Sequence, residues 1–294
     1  MRARGVIFET LIGPFLEFGF MRRALVGALA LSLSGAPIGV FLILRRMALT
    51  GDAMAHAILP GAALGYLVAG LSLPAMTLGG FAAGLIVAVA AAAAARATIL
   101  REDATLAAFY LISLALGVTI VSLRGSSVDL LRVLFGSVLA LDDATLMLLA
   151  GMSSLTLLAL AALYRPLVLE TVDPGFFASV SRLAGPTQAA FLALVVVNLV
   201  AGFHALGTLM SVGLMMLPAA AARLWARRLP AILALSVALA FAASLAGLLA
   251  SWHTGLPSGP LIVLTAGAIY VFSLVFGRAG GALRGRSPGR HLEG

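Results

Sequence analysis

Apolar residues fill this chain in blocks of roughly twenty, parted by short segments that gather most of the charge and proline. A hydrocarbon core about 30 Å thick is crossed by about 20 helical residues, so each block has the length of a transmembrane helix. Spans are predicted at 24–44 and 50–70. After the turn Leu71-Ser72-Leu73-Pro74 a third reaches residue 96, and others follow at 104–123, 144–164, 187–204, 206–225, 230–251 and 260–276. The fold class is an all-α polytopic transmembrane bundle of eight or nine helices. Three stretches break the rhythm. Residues 1–23 mix Phe8, Phe15, Phe18 and Phe20 with Glu9 and Glu17 and read as a helix lying in the membrane interface. Residues 128–136 carry Asp129 and Arg132 in a run too short to span, which fits an interfacial or re-entrant helix. Residues 165–186 form the longest polar connection, with a short helix predicted at 174–183. The membrane domain is therefore 24–277, followed by a basic, glycine-rich tail, 278–294, expected to be disordered.

Composition sharpens this reading. Of 294 residues 62% are hydrophobic and 10% charged, and the mean hydropathy is +1.13, which excludes a soluble domain. The net charge of +8 is carried without any lysine. In a soluble protein that excess would raise nucleic acid as a partner; here the partner is membrane lipid, and the positive-inside rule accounts for the arginines. An outside N-terminus with nine spans puts thirteen of the 19 arginines on the inner side, among them Arg45, Arg46, Arg165, Arg182 and Arg223. Residues 165–186 are then cytoplasmic, where a soluble partner can dock. The chain has no cysteine, so a metal site must use His, Asp, Glu or backbone oxygen. Glu9 and Glu17 interrupt the N-terminal stretch, and no cleavable signal peptide is expected.

One pair of residues stands out against so much hydrocarbon. Asp52 and His56 lie four residues apart near the start of the second span, which places them on one face of a helix. Ionisable groups inside a span face a cavity, a partner or a substrate path. The pair suits zinc or manganese, yet zinc wants about four ligands; a two-fold homodimer with this helix beside its axis would double the set. Read from the residues alone, Asp52 can equally cap the helix N-terminus while His56 bonds a neighbouring helix. His204, at the outer end of a span, is a candidate gate or entry residue or else a polar anchor. His253 invites the same reading in an outer loop. No metalloprotease motif, nucleophile elbow or phosphate-binding loop is present. A transporter of this kind needs either an ion gradient, with Asp52 and His56 as a proton relay, or a separate ATPase. An intramembrane metalloenzyme is a third class, disfavoured by too few ligands and no nearby base.

Four separated motifs resemble the membrane permeases of zinc and manganese ABC importers. They are Gly35-Ala36-Pro37-Ile38-Gly39 leading through Arg45-Arg46-Met47 to Gly51-Asp52-Ala53-Met54-Ala55-His56; Val128-Asp129-Leu130 with Leu134-Phe135-Gly136; Gly207-Thr208-Leu209 leading to Leu217-Pro218-Ala219; and Thr254-Gly255-Leu256-Pro257-Ser258-Gly259-Pro260. The resemblance implies a homodimeric permease without catalysis or cofactor of its own, in the bacterial cytoplasmic (inner) membrane. It would work with a cytoplasmic ABC ATPase dimer and an extracytoplasmic metal-binding protein. It maps the metal contacts onto Asp52 and His56 and the ATPase-coupling helix onto 173–185, with Asp173, Phe176, Phe177 and Ala178 transmitting motion. In this chain Ala178 is followed by Ser179, Val180 and Ser181 where family members often have a nearby glycine. Imidazole from each protomer leans the expected cargo toward zinc over manganese.

Overall fold

The computed structural model describes residues 12–70, 72–99, 102–122 and 141–283. The predicted element at 128–136 and the tail beyond residue 283 lie outside these. Among the described residues the chain is helical and contains no strand: α1 (Gly13–Glu17), α2 (Gly19–Leu44), α3 (Ala48–Ala57), α4 (Leu59–Ala69), α5 (Leu73–Ala97), α6 (Glu102–Ser122), α7 (Asp143–Val172), α8 (Pro174–Val180), α9 (Ala184–Leu206), α10 (Thr208–Trp225), α11 (Leu229–Thr254) and α12 (Ser258–Phe276). Among the described residues eight segments are long and apolar enough to cross a membrane, counting α3 and α4 as one, and Ala104–Ile120 within α6 is a shorter apolar helix. The all-α polytopic bundle is thus as the sequence pattern requires.

Inside hydrocarbon each hydroxyl must find an acceptor, and here many turn back on their own helix. Ser32 donates to the Ala28 carbonyl, Ser34 to Ala30, Thr156 to Met152 and Ser244 to Ala240. Helices then approach through glycine. A Cβ added at Gly61 would lie 1.9 Å from the Gly79 carbonyl oxygen, and one at Gly79 would lie 2.1 Å from that of Gly61, so α4 and α5 touch backbone to backbone. Gly39 meets the Met215 carbonyl at 1.9 Å in the same sense, joining α2 to α10. A core of Phe41, Met54, Ile58, Leu167, Phe191, Val195 and Met215 binds α2, α3, α7, α9 and α10.

Polar contacts at the two ends set the direction of the helices. Arg23, near the start of α2, lies 3.3 Å from Asp143 at the start of α7, and Arg45 after α2 pairs with Glu170 near the end of α7. The two helices therefore run parallel, as the arginine count requires. The first pair is exposed and worth little energetically. Asp142 caps α7 by accepting from the Thr145 amide at 2.8 Å. The Thr145 side chain and amide hold the Asp142 carboxyl below its ordinary value. That cap is present above the usual carboxylate range and is lost as pH falls through the lowered value.

Two boundaries differ from the sequence reading. The first span begins at Gly19, inside the stretch assigned to an interfacial helix, because Phe18 and Phe20 pack on Trp252 (ring centroids 4.8 and 6.1 Å) and draw the helix start into the bundle. The polar connection expected over 165–186 is mostly helix. α7 runs on through Arg165 and Pro166 to Val172, because Glu170 is buried against Arg45 instead of being solvated. Replacing Gly61 with Val should lower the detergent-solubilised protein's unfolding midpoint by the equivalent of about 2 kcal/mol or more, through overpacking against Gly79. Gly151→Ala, which meets nothing within 4 Å, should leave that midpoint unchanged or raised.

Candidate metal-binding site

The site is built on a ten-residue helix held between two backbone devices. At its start, α2 closes with a paired turn: the Met47 amide bonds the Leu42 carbonyl at 2.8 Å and the Arg46 amide bonds Ile43 at 3.1 Å, with Arg46 at φ 60°. This is a Schellman closure with a non-glycine residue in the left-handed position, and it fixes the angle at which α3 leaves α2. At its end the span predicted as one rod over 50–70 is interrupted at Ile58. Pro60 lacks the amide that would bond the carbonyl of His56, and its ring crowds that carbonyl. Ser113 of α6 donates to the Ala57 carbonyl at 3.0 Å across the break, and Gly117 lets α6 approach Pro60 closely.

On this short helix Thr50, Gly51, Ala53, Met54, Ala55 and Ala57 are buried in the protomer. Asp52 and His56 sit on the other face. The Asp52 side chain is 61% exposed, the His56 side chain 27%, and their nearest atoms, Oδ1 and Nε2, are 3.8 Å apart. That distance is too long for a hydrogen bond but lets both groups face one ion. The cap reading fails, since α3 starts at Ala48, a turn before Asp52, and Met47 at its N-cap position makes no side-chain bond. Among the described residues the bond to a neighbouring helix is also missing, for His56 Nδ1 is buried without a partner there. Tyr110 of α6 packs along the imidazole with centroids 6.1 Å apart and planes 30° apart. A cavity of about 150 Å³ between α3 and α6, lined by Thr50, Asp52, Leu106 and Tyr110, opens beside the carboxylate. The position of Tyr110 was not read from sequence; only the facing register of α3 and α6 reveals it.

Among the described residues no cluster of three or more His, Cys, Asp or Glu forms within the chain. A single copy offers two donors and leaves one of them uncovered on a membrane-spanning element. His204 is elsewhere, in the last turn of α9, with Nδ1 2.9 Å from the Val200 carbonyl and its ring edge-on to Phe203. The other candidate element, α8, is a two-turn helix. Asp173 ends α7 and caps α8 at once, accepting from the Phe176 amide at 2.8 Å. Phe177 is buried and anchors α8 to the bundle, whereas Phe176 (57% exposed), Val172, Ala178, Val180 and Leu183 present an apolar surface.

This arrangement defines a class: a multi-pass membrane protein with an ionisable pair on an interrupted helix and a short helix with an exposed apolar face at the end of a long span. The chain belongs to the ABC 3 transport family, whose profile matches residues 17–277. It is 31% identical to the manganese import system permease protein ScaB of Streptococcus parasanguinis over 87% of this chain and 90% of that one. It is 30% identical to the manganese transport system membrane protein MntC of Halalkalibacterium halodurans over 91% of each. The structure of PsaBC from Streptococcus pneumoniae in complex with Fab superposes with a TM-score of 0.82 at 28% identity, covering 95% of this chain and 97% of that one. The protein is a membrane transport subunit of the cytoplasmic membrane.

Asp173→Ala should remove the α8 cap, at about 1 kcal/mol, and raise hydrogen exchange at the Phe176 and Phe177 amides. Asp173→Ser, which keeps an acceptor, should leave exchange near wild type.

Proposed function

We propose that this chain is the permease subunit of an ATP-driven importer that moves Mn²⁺ across the cytoplasmic membrane by alternating access. The observation that carries the reading is the exposed Asp52 carboxylate beside a partly exposed His56 on an apolar span. In hydrocarbon such a group needs a partner, and a second copy related by a two-fold axis supplies one Asp and one His more. Two carboxylates and two imidazoles give a borderline-to-hard donor set. Imidazole alone leans toward zinc; the manganese names of the similar permeases and the carboxylate share of the set favour Mn²⁺.

Transport needs the ion to be held briefly and released. Asp52 supplies charge and oxygen donors, and His56 a nitrogen donor on the ring that packs beside Tyr110. The cavity beside Asp52 gives the ion space to shed ligands toward α6. Energy enters from a separate ATPase dimer, because the chain contains no phosphate-binding loop. The exposed face of α8, with Phe176 at its centre and Phe177 as the anchor behind it, is the docking surface for that ATPase, and an extracytoplasmic metal-binding protein delivers the ion on the opposite side.

Asp52→Ala and His56→Ala should each reduce ATP-dependent ⁵⁴Mn²⁺ uptake by reconstituted complex at least tenfold, with dimer assembly intact. Normal uptake by a stable double variant would remove the site assignment. Zn²⁺ should be moved more slowly than Mn²⁺ in the same vesicles. Uptake driven by a pH gradient without ATP would favour a secondary transporter in which Asp52 and His56 relay protons.

A further inference from the structure

Arg45 and Glu170 form a buried ion pair that neither metal binding nor ATPase docking uses directly. Arg45 Nη2 lies 2.5 Å from Glu170 Oε1, and each side chain is 8% exposed. The guanidinium also stands over the Phe191 ring of α9, 4.9 Å from its centroid. Its place in the chain gives this pair its interest. Arg45 is the capping residue of the Schellman turn from which α3 departs, seven residues before Asp52. Glu170 is in the last turn of α7, three residues before Asp173, the single residue that joins α7 to α8. One charged contact therefore connects the turn that aims the Asp52–His56 helix to the helix end that carries α8.

We propose that Arg45 and Glu170 are positioning residues that transmit displacement of α8 to α3, so that ATPase motion reaches the Asp52–His56 pair through this ion pair. The inference rests on the transport reading above. The geometry supports transmission over simple stabilisation for two reasons. Both ends of the link are rigid. The turn at Arg46 is closed by two backbone bonds and a left-handed residue, and Asp173 caps α8 directly onto α7. A shift at α8 thus has no slack loop in which to dissipate. The link is also directional. A charge-assisted bond between two nearly dry groups resists being pulled apart and being sheared, whereas apolar side chains in the same space slide over one another. Phe191 confines the guanidinium from the side of α9, so motion of Glu170 is passed on to Arg45.

A buried ion pair is often replaceable by apolar residues without loss of stability, and this separates the two roles. The test uses full complex, permease with its ATPase and metal-binding protein, in vesicles, measuring ⁵⁴Mn²⁺ imported and ATP hydrolysed in the same samples. The double variant Arg45→Met/Glu170→Leu should keep its unfolding midpoint, its dimer and its ATPase stoichiometry. Its Mn²⁺ imported per ATP hydrolysed should fall at least fivefold. Glu170→Gln, which weakens the bond while leaving its shape, should give a smaller fall in the same ratio. A ratio within twofold of wild type in either folded variant, whatever the absolute rates, would overturn the proposal and leave the pair a structural contact. Absence of ATP-dependent Mn²⁺ uptake by the wild-type complex would overturn the transport reading itself, and this inference with it.

Discussion

In hydrocarbon a polar group without a partner is unstable, and this molecule meets that constraint in two opposite ways. Buried hydroxyls of the spans bond their own helix carbonyls, and Arg45 and Glu170 answer each other almost free of solvent. Among the described residues Asp52 and His56 are left incomplete, one largely uncovered and the other with a buried, unpartnered Nδ1. Within one chain this is an unfavourable surface. In the proposed dimer, a two-fold axis with an ion between the copies would satisfy it. On the proposed reading, dimerisation and metal binding answer the same unmet polar demand.

The helix carrying the pair is short for a reason. Arg46 in the left-handed region fixes where α3 begins, and Pro60 fixes where it yields to α4. Between them lies a single ten-residue helix. Close glycine contacts hold α4 to α5, and Ser113 repairs the backbone at the break. Interrupted helices at binding sites are a recurrent solution in membrane transport, because irregular backbone is tolerated where neighbouring protein satisfies it. A short helix fastened rigidly to α2 at its start and broken from α4 at its end follows a push delivered at its base.

The sequence disclosed the bundle because hydrocarbon thickness imposes a length on every span, and arginine asymmetry imposes a direction. Asp52 and His56 were legible for the same reason: charge in an apolar run is conspicuous. What escaped was whatever depends on helices meeting. Glu170 reads as a loop carboxylate until Arg45 is found opposite it, and α7 then extends through a stretch whose polarity suggested a connection. Tyr110 is one aromatic among many until α6 is laid beside α3. Pro60, four residues after His56, is the local sign in the sequence that the rod is broken. Phe176 and Phe177 look equivalent in sequence, yet one is an anchor and the other an exposed face.

The central claim is that a second copy completes the Asp52–His56 site. Because the chain has no cysteine, a single Asp52→Cys substitution gives a unique thiol. The direct measurement is cross-linking of this variant in native membranes with a short bifunctional thiol reagent, beside Leu158→Cys, a residue 71% exposed on α7. The expected result is a covalent dimer as the main product for position 52 and little for position 158, with Mn²⁺ uptake lost at position 52. No dimer at position 52, in membranes where the complex is assembled and the thiol reacts with a monofunctional reagent, would contradict the account.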